Sequence, residues 1–99
     1  MRLREKDRLT IKQAAREVFG DDVVVRLFGS RVDDALKGGD IDLHLEIDPQ
    51  PDGADRSART FWSLLQERLG EQQIDVVVSE RGKPQRAIER IAYKEGVEL

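Results

Sequence analysis

Two aspartates one residue apart, Asp40 and Asp42, stand eleven and thirteen positions after Gly29, which with Ser30 follows the apolar run Val23–Phe28. The segment reads Val23-Val-Val-Arg-Leu-Phe-Gly29-Ser30-Arg31, then a linker ending in Gly38-Gly39, then Asp40-Ile41-Asp42-Leu43-His44-Leu45. Side chains repeat with period two along a strand, so Asp-x-Asp aims both carboxylates at one space. Carboxylate oxygens, with waters and substrate phosphates, are the ligands Mg²⁺ prefers. Two such ions ~3.5–4 Å apart can activate an attacking oxygen and stabilise a leaving one. Glycine lets backbone approach phosphate closely, and Ser30 can cap a short helix whose free amides form an anion site. Arg31 is placed to neutralise a phosphate, or else is a solvated charge. Together these residues predict chemistry on a nucleoside triphosphate.

The elements that must position them follow from the pattern. Arg4 to Phe19 reads as an amphipathic helix with Ile11, Ala14, Ala15 and Val18 on one face and Gly20 as its stop. Thr10 with Gln13 offers a second possible start, as a capping box. Val23 to Phe28 is a β-rich run, and Ser30 to Leu36 could make two helical turns before Gly38-Gly39 breaks them. Asp40 to Ile47 alternates strictly, polar on even positions and Ile or Leu on odd ones, which predicts a strand with one covered and one open face. Asp55 to Leu69 reads as a helix with Ala58, Phe61, Trp62, Leu65 and Leu69 as its core stripe. Ile74 to Ser79 is the third strand. Pro84 suits a first helical position, and Ile88, Ile91 and Ala92 define a last helix stopped at Gly96. The order is αβαβαβα in a single domain spanning residues 1–99.

Topology brings the acids together. A helix of about fifteen residues joins the second and third strands, so these are expected to be parallel with a right-handed crossover. Asp40 and Asp42 open one and Asp75 lies near the opening of the other, so three carboxylates can converge. If the first strand runs antiparallel beside the second, Gly29-Ser30 reaches the same end. Each piece alone has an ordinary reading: a helix cap, a solvated strand face, or edge protection for Asp75. The combination in this order carries the signal. His44 shares the open face and reads as an exposed strand histidine, with nucleotide contact as the alternative. Asp33 and Asp34 read as solvated charges, and Phe61, Trp62 and Tyr93 as packing residues. Walker A and dinucleotide glycine patterns are absent, and a single histidine leaves no defensible Ser-His-Asp constellation.

Composition bounds the partners. Ninety-nine residues can bury roughly 60–70% of the unfolded surface, a modest core. Charged residues are 37% of the chain and the net charge is −3, which argues against general nucleic-acid binding, although 17 Lys and Arg leave room for a local basic patch. The absence of cysteine accords with a reducing cytoplasm. No apolar run approaches the ~20 residues of a membrane span, and no signal-peptide pattern opens the chain.

At Leu27-Phe28-Gly29-Ser30-Arg31, Gly39-Asp40-Ile41-Asp42-Leu43 and Ile74-Asp75-Val76-Val77 the chain resembles the minimal nucleotidyltransferase (MNT) family of the polymerase-β-like superfamily. The resemblance covers almost the whole length. The nine residues between Ser30 and Asp40 lie at the short end of that family's Gly-Ser to Asp-x-Asp spacing. It implies an α/β (α+β) fold with a small mixed sheet and helices on one face. It also implies Mg²⁺, two ions, on Asp40, Asp42 and Asp75, and the triphosphate of ATP on Gly29, Ser30 and Arg31. Larger relatives carry an added helical acceptor domain for which these residues leave no room. Stand-alone members are commonly paired with a helical HEPN-domain protein, often a ribonuclease toxin, and act as its antitoxin by transferring AMP to a tyrosine. The expected function is therefore a cytoplasmic, Mg²⁺-dependent protein adenylyltransferase with a HEPN partner encoded nearby. The alternatives are a non-catalytic module that neutralises its partner by contact, and a transferase acting on a small molecule such as an aminoglycoside.

Overall fold

The computed structural model describes residues 3–32 and 39–99. Their elements run α1 (Glu5–Phe19), β1 (Val24–Phe28), a single 3₁₀ turn (Gly29–Val32), β2 (Ile41–Ile47), α2 (Asp55–Leu69), β3 (Ile74–Glu80), α3 (Ala87–Glu95) and β4 (Val97–Glu98). The four strands form one mixed sheet in the order β3-β2-β1-β4. β1 is antiparallel to β2, which their short connection permits, and β2 is parallel to β3 through the α2 crossover, as expected. The fold class and element order are those expected; β4, paired antiparallel to β1, is an addition. Two residues carry no periodicity, so β4 has no sequence signature of its own. It is held by Leu99, which is buried and donates its N–H to the Val25 carbonyl.

The main core lies on the face of β2 made by its odd residues. Ile41, Leu43, Leu45 and Ile47 meet Val25 and Leu27 of β1, Ile11, Ala14 and Ala15 of α1, and Phe61 and Leu65 of α2. Each fully buried Leu, Ile or Phe is worth about 1.5–3 kcal/mol, so this layer fixes the register that aims even residues the other way. α1 and α2 are further joined by a Phe19–Phe61 edge contact and by a forked Arg68–Glu17 ion pair. Gly20 closes α1 with φ 93°, as anticipated. Thr10 lies inside α1 and bonds the Lys6 carbonyl, so no second start forms there.

Three expectations fail here for physical reasons. Trp62 is 44% exposed, because its indole reaches past the α2 stripe to donate to the Ile74 carbonyl at the rim of β3. α3 begins at Ala87 rather than Pro84, capped by Arg86 and Glu89. Ile88 and Ile91 are exposed, and only Glu89 and Ala92 of α3 are buried.

The last point corrects the expectation that all helices share one face. α1 and α2 cover the odd face of β2, whereas α3 crosses the even one. Its Tyr93 ring packs edge-on against His44, with centroids 4.6 Å apart, and Glu89 accepts a 2.6 Å bond from Ser79. The face read as open is thus covered over its far half, and only the end bearing Asp42 and Asp75 stays uncovered by α3.

Candidate active site

β2 and β3 bring Asp42 and Asp75 side by side, as direct register partners on neighbouring strands. Adjacent strands lie ~4.8 Å apart, and both residues project to the even face. Asp42 is partly buried, and its pKa is raised above the ordinary carboxylate value. Burial is the largest cause, followed by a hydrogen bond with Asp75 and by the negative charges of Asp75 and Asp40. The pair therefore favours either a shared proton or a cation.

Gly29 is tied to the same spot. Phe28 is the register partner of Asp42, so the end of β1 passes directly over that carboxylate. Gly29 has φ +76°, and a Cβ there would overlap the Asp42 side chain, standing 3.1 Å from its Cγ. Only glycine satisfies both the left-handed backbone and this close approach. Gly29 and the Asp42–Asp75 pair thus lie together at one end of the sheet.

The remaining predicted residues are distributed unevenly. Asp40 is exposed one residue ahead of β2, close enough to act electrostatically on Asp42. Among the described residues no group of three or more carboxylate or histidine side chains gathers at metal-binding distance. The structure thus joins Asp42 to Asp75 and leaves Asp40 beside them. Ser30 lies in the 3₁₀ turn, and its side chain is outside the described residues, as are Asp33, Asp34 and the rest of the expected helix to Leu36. Arg31 donates from Nη2 to the Gly39 carbonyl at 2.9 Å and so spans the connection between β1 and β2. It also borders a cavity of about 530 Å³ formed with Leu3, Arg4, Asp7 and Gln72 at the same end of the sheet.

Next to the acid pair lies a polar network that sequence reasoning missed. His44 is fully buried, which overturns the reading of an exposed strand histidine. Its Nε2 is 2.8 Å from Ser79 Oγ, and Ser79 donates its hydroxyl proton to Glu89 at 2.6 Å. The ring must then donate from Nε2, leaving Nδ1 to face Arg26 Nη1 at 3.5 Å. Arg26 stands 4.9 Å from the centre of the Tyr93 ring and pairs with Glu46, which also binds Arg81. Burial, and then Arg26, draw the His44 pKa down to about 4, so the ring is neutral near pH 7. Glu89 sits at about 2, held down against its burial by Ser79 and Arg86. A sequence signal existed: Arg26 interrupts an apolar strand, and Ser79 has the same parity as Asp75.

The donor set fits a divalent cation. Two adjacent carboxylates that repel each other, with a third within electrostatic reach, are what such an ion would neutralise. No protein-family model and no curated protein matches the chain.

Proposed function

We propose that this protein is a Mg²⁺-dependent nucleotidyltransferase of the minimal type, which transfers AMP from ATP to a hydroxyl of a helical HEPN partner, with tyrosine the expected acceptor, and thereby acts as an antitoxin. The observation that carries the reading is the contact between Gly29 and Asp42 beside Asp75: a glycine turn seated directly on a carboxylate pair in need of a cation. Asp42 and Asp75, with Asp40, would hold the metal, which when bound supplies charge neutralisation at the transferring phosphorus and its leaving group. Gly29 and Ser30 would seat the triphosphate, with Arg31 bracing the connection through Gly39. The acceptor oxygen forms a bond to the α-phosphorus, the bond to the bridging oxygen breaks, and pyrophosphate departs. A carboxylate of the pair takes the hydroxyl proton.

Support for an outside acceptor comes from the open end of the sheet face, where α3 leaves the acids exposed to a docking molecule. Among the described residues no helix is long and apolar enough to cross a membrane. The test is incubation of the co-expressed pair with ATP labelled at the α-phosphate and Mg²⁺, followed by mass spectrometry. Label on the partner, lost in Asp42→Asn, is the expected result. Inhibition of the partner without label transfer would instead favour neutralisation by contact. Efficient transfer to an aminoglycoside by the protein alone would favour the small-molecule reading.

A further inference from the structure

An exposed sheet edge is a template for another strand, and proteins ordinarily blunt it with brevity, lysine, proline or a bulge. β4, the strand at one edge, is two residues long. β3, at the other edge, is seven residues long, and its centre reads Val76-Val77-Val78, all three half-exposed. Hydrogen-bond parity identifies which of its groups face outward. The Gln73 carbonyl accepts from Ile41 N–H at 2.9 Å, and Arg81 N–H donates to the Ile47 carbonyl at 2.8 Å. Odd residues of β3 therefore bond β2, and even residues point away. The outward Ile74 carbonyl is taken by the Trp62 indole at 3.0 Å, and that of Glu80 by Lys83 N–H at 3.2 Å. Between these caps, the N–H and C=O of Val76 and of Val78 meet no partner among the described residues. Those four groups are symmetric about Val77.

We propose that this window is a homodimer interface, in which β3 of two copies pair antiparallel about a twofold axis at Val77. Val76 then opposes Val78 of the second copy, and the two exchange both backbone bonds. The symmetric pair does the same, so all four open groups on each chain are satisfied and the two sheets become one of eight strands. Val77 faces its own counterpart as a non-hydrogen-bonded pair, with Cβ atoms ~4.5–5.5 Å apart. No like charges fall directly opposite one another in this register, because Asp75 lies opposite Ser79 and Ile74 opposite Glu80. Self-complementarity selects a second copy over a foreign strand: the four groups of the window answer one another about Val77, and the Ile74 and Glu80 N–H groups beyond it lie opposite the carbonyls already taken by Lys83 and Trp62. A consequence for the site follows. Ser79 is the residue on which α3 is seated through Glu89, so the second copy's α3 start stands beside Asp75 and adds a wall to the candidate site. The pairing is independent of the chemistry performed there.

Light scattering on a size-exclusion column, at rising concentration, should give about twice the chain mass of 11.3 kDa. Val77→Lys and Val77→Glu each place like charges on the axis and should run as monomers. An equimolar mixture of the two should recover the dimer, because the axis residue meets its own position and the charges are then opposite. Hydrogen exchange on the unsubstituted protein supplies a readout free of folding artefacts: the Val76 N–H and Val78 N–H should slow as concentration rises. A wild type that stays monomeric overturns the proposal, as does a dimer that survives in either variant. So does a mixture that remains monomeric. Slowing of those amides only when another protein is added would assign the edge to a foreign strand and would also overturn it.

Discussion

Acidification from about pH 7 to about pH 4 should drain stability from this protein through one imidazole. His44 is the only histidine, it is fully buried, and its sole site for an added proton, Nδ1, faces the Arg26 guanidinium. Burial and that positive charge draw its pKa from 6.5 to about 4, against the weaker attraction of Glu46 and Glu89. In the unfolded chain the ring titrates near its ordinary value, so between those two pH values the unfolded state binds more protons. The stabilisation is therefore complete above pH 6.5 and is lost progressively as the pH falls toward 4. At about 1.4 kcal/mol per tenfold change, the full loss is roughly 3 kcal/mol. That is a large share of the ~5–15 kcal/mol that holds an ordinary domain together. The assay is urea unfolding at stepped pH for the wild type and for His44→Gln, which keeps an amide donor toward Ser79 and does not titrate. Subtracting the two profiles separates the ring from Asp42, whose raised pKa acts with the opposite sign, adding stability at low pH and losing it as the pH rises. The single imidazole also gives just one pair of ring C–H resonances, from Cε1 and Cδ2, that follow the titration directly. A ring that titrates near 6.5 in the folded protein, or a difference profile flat between pH 6.5 and 4.5, would refute the burial argument.

Asp42→Asn and Asp40→Asn should each abolish AMP transfer with the fold intact, by more than the ~10–100-fold lost when a residue that merely hydrogen-bonds a metal ligand is changed; a radiolabel assay retaining more than roughly a tenth of wild-type turnover refutes the ligand assignment. Without Mg²⁺, Asp42→Asn should raise the melting temperature, because it removes a carboxylate repelled by Asp75, and a lowered value measured by calorimetry contradicts this. Gly29→Ala forces a side chain into the left-handed region and against Asp42, costing at least about 1 kcal/mol, and it should weaken ATP binding in calorimetric titration as well. Ser79→Ala strands the buried His44 N–H and leaves Glu89 with Arg86 alone; denaturant unfolding should show a loss of about 1–3 kcal/mol.

The fold was legible wherever a hydrophobic period ran long enough to be counted. The alternation over Ile41–Ile47 and the fifteen-residue stripe of α2 placed both elements, and the crossover between them gave the parallel pairing that sets Asp42 beside Asp75. Gly29 was singled out for phosphate approach; its clash with Asp42 adds a reason that only the folded backbone supplies. The even face of β2 was misread because alternation records polarity, and a polar residue can be buried when another polar group meets it. His44, Ser79 and Glu89 come from three elements and bond only after α3 has crossed the sheet. Ile88 and Ile91 failed for the converse reason: spacing identifies a helical face but not what lies against it.

The sheet also has an order of assembly written into its pairings. Asp42 and Asp75 are joined by a short βαβ segment, whereas β4 reaches β1 only through the Arg26–Glu98 and Leu27–Val97 pairs, across some seventy intervening positions. Closing so long a loop is entropically slower than closing the crossover. During synthesis, the carboxylate pair and its apolar underside can therefore form before α3 and β4 have emerged. The polar wall of Tyr93, Glu89 and Arg86 is then the last part of the even face to be laid down, beside an acid pair that it leaves open.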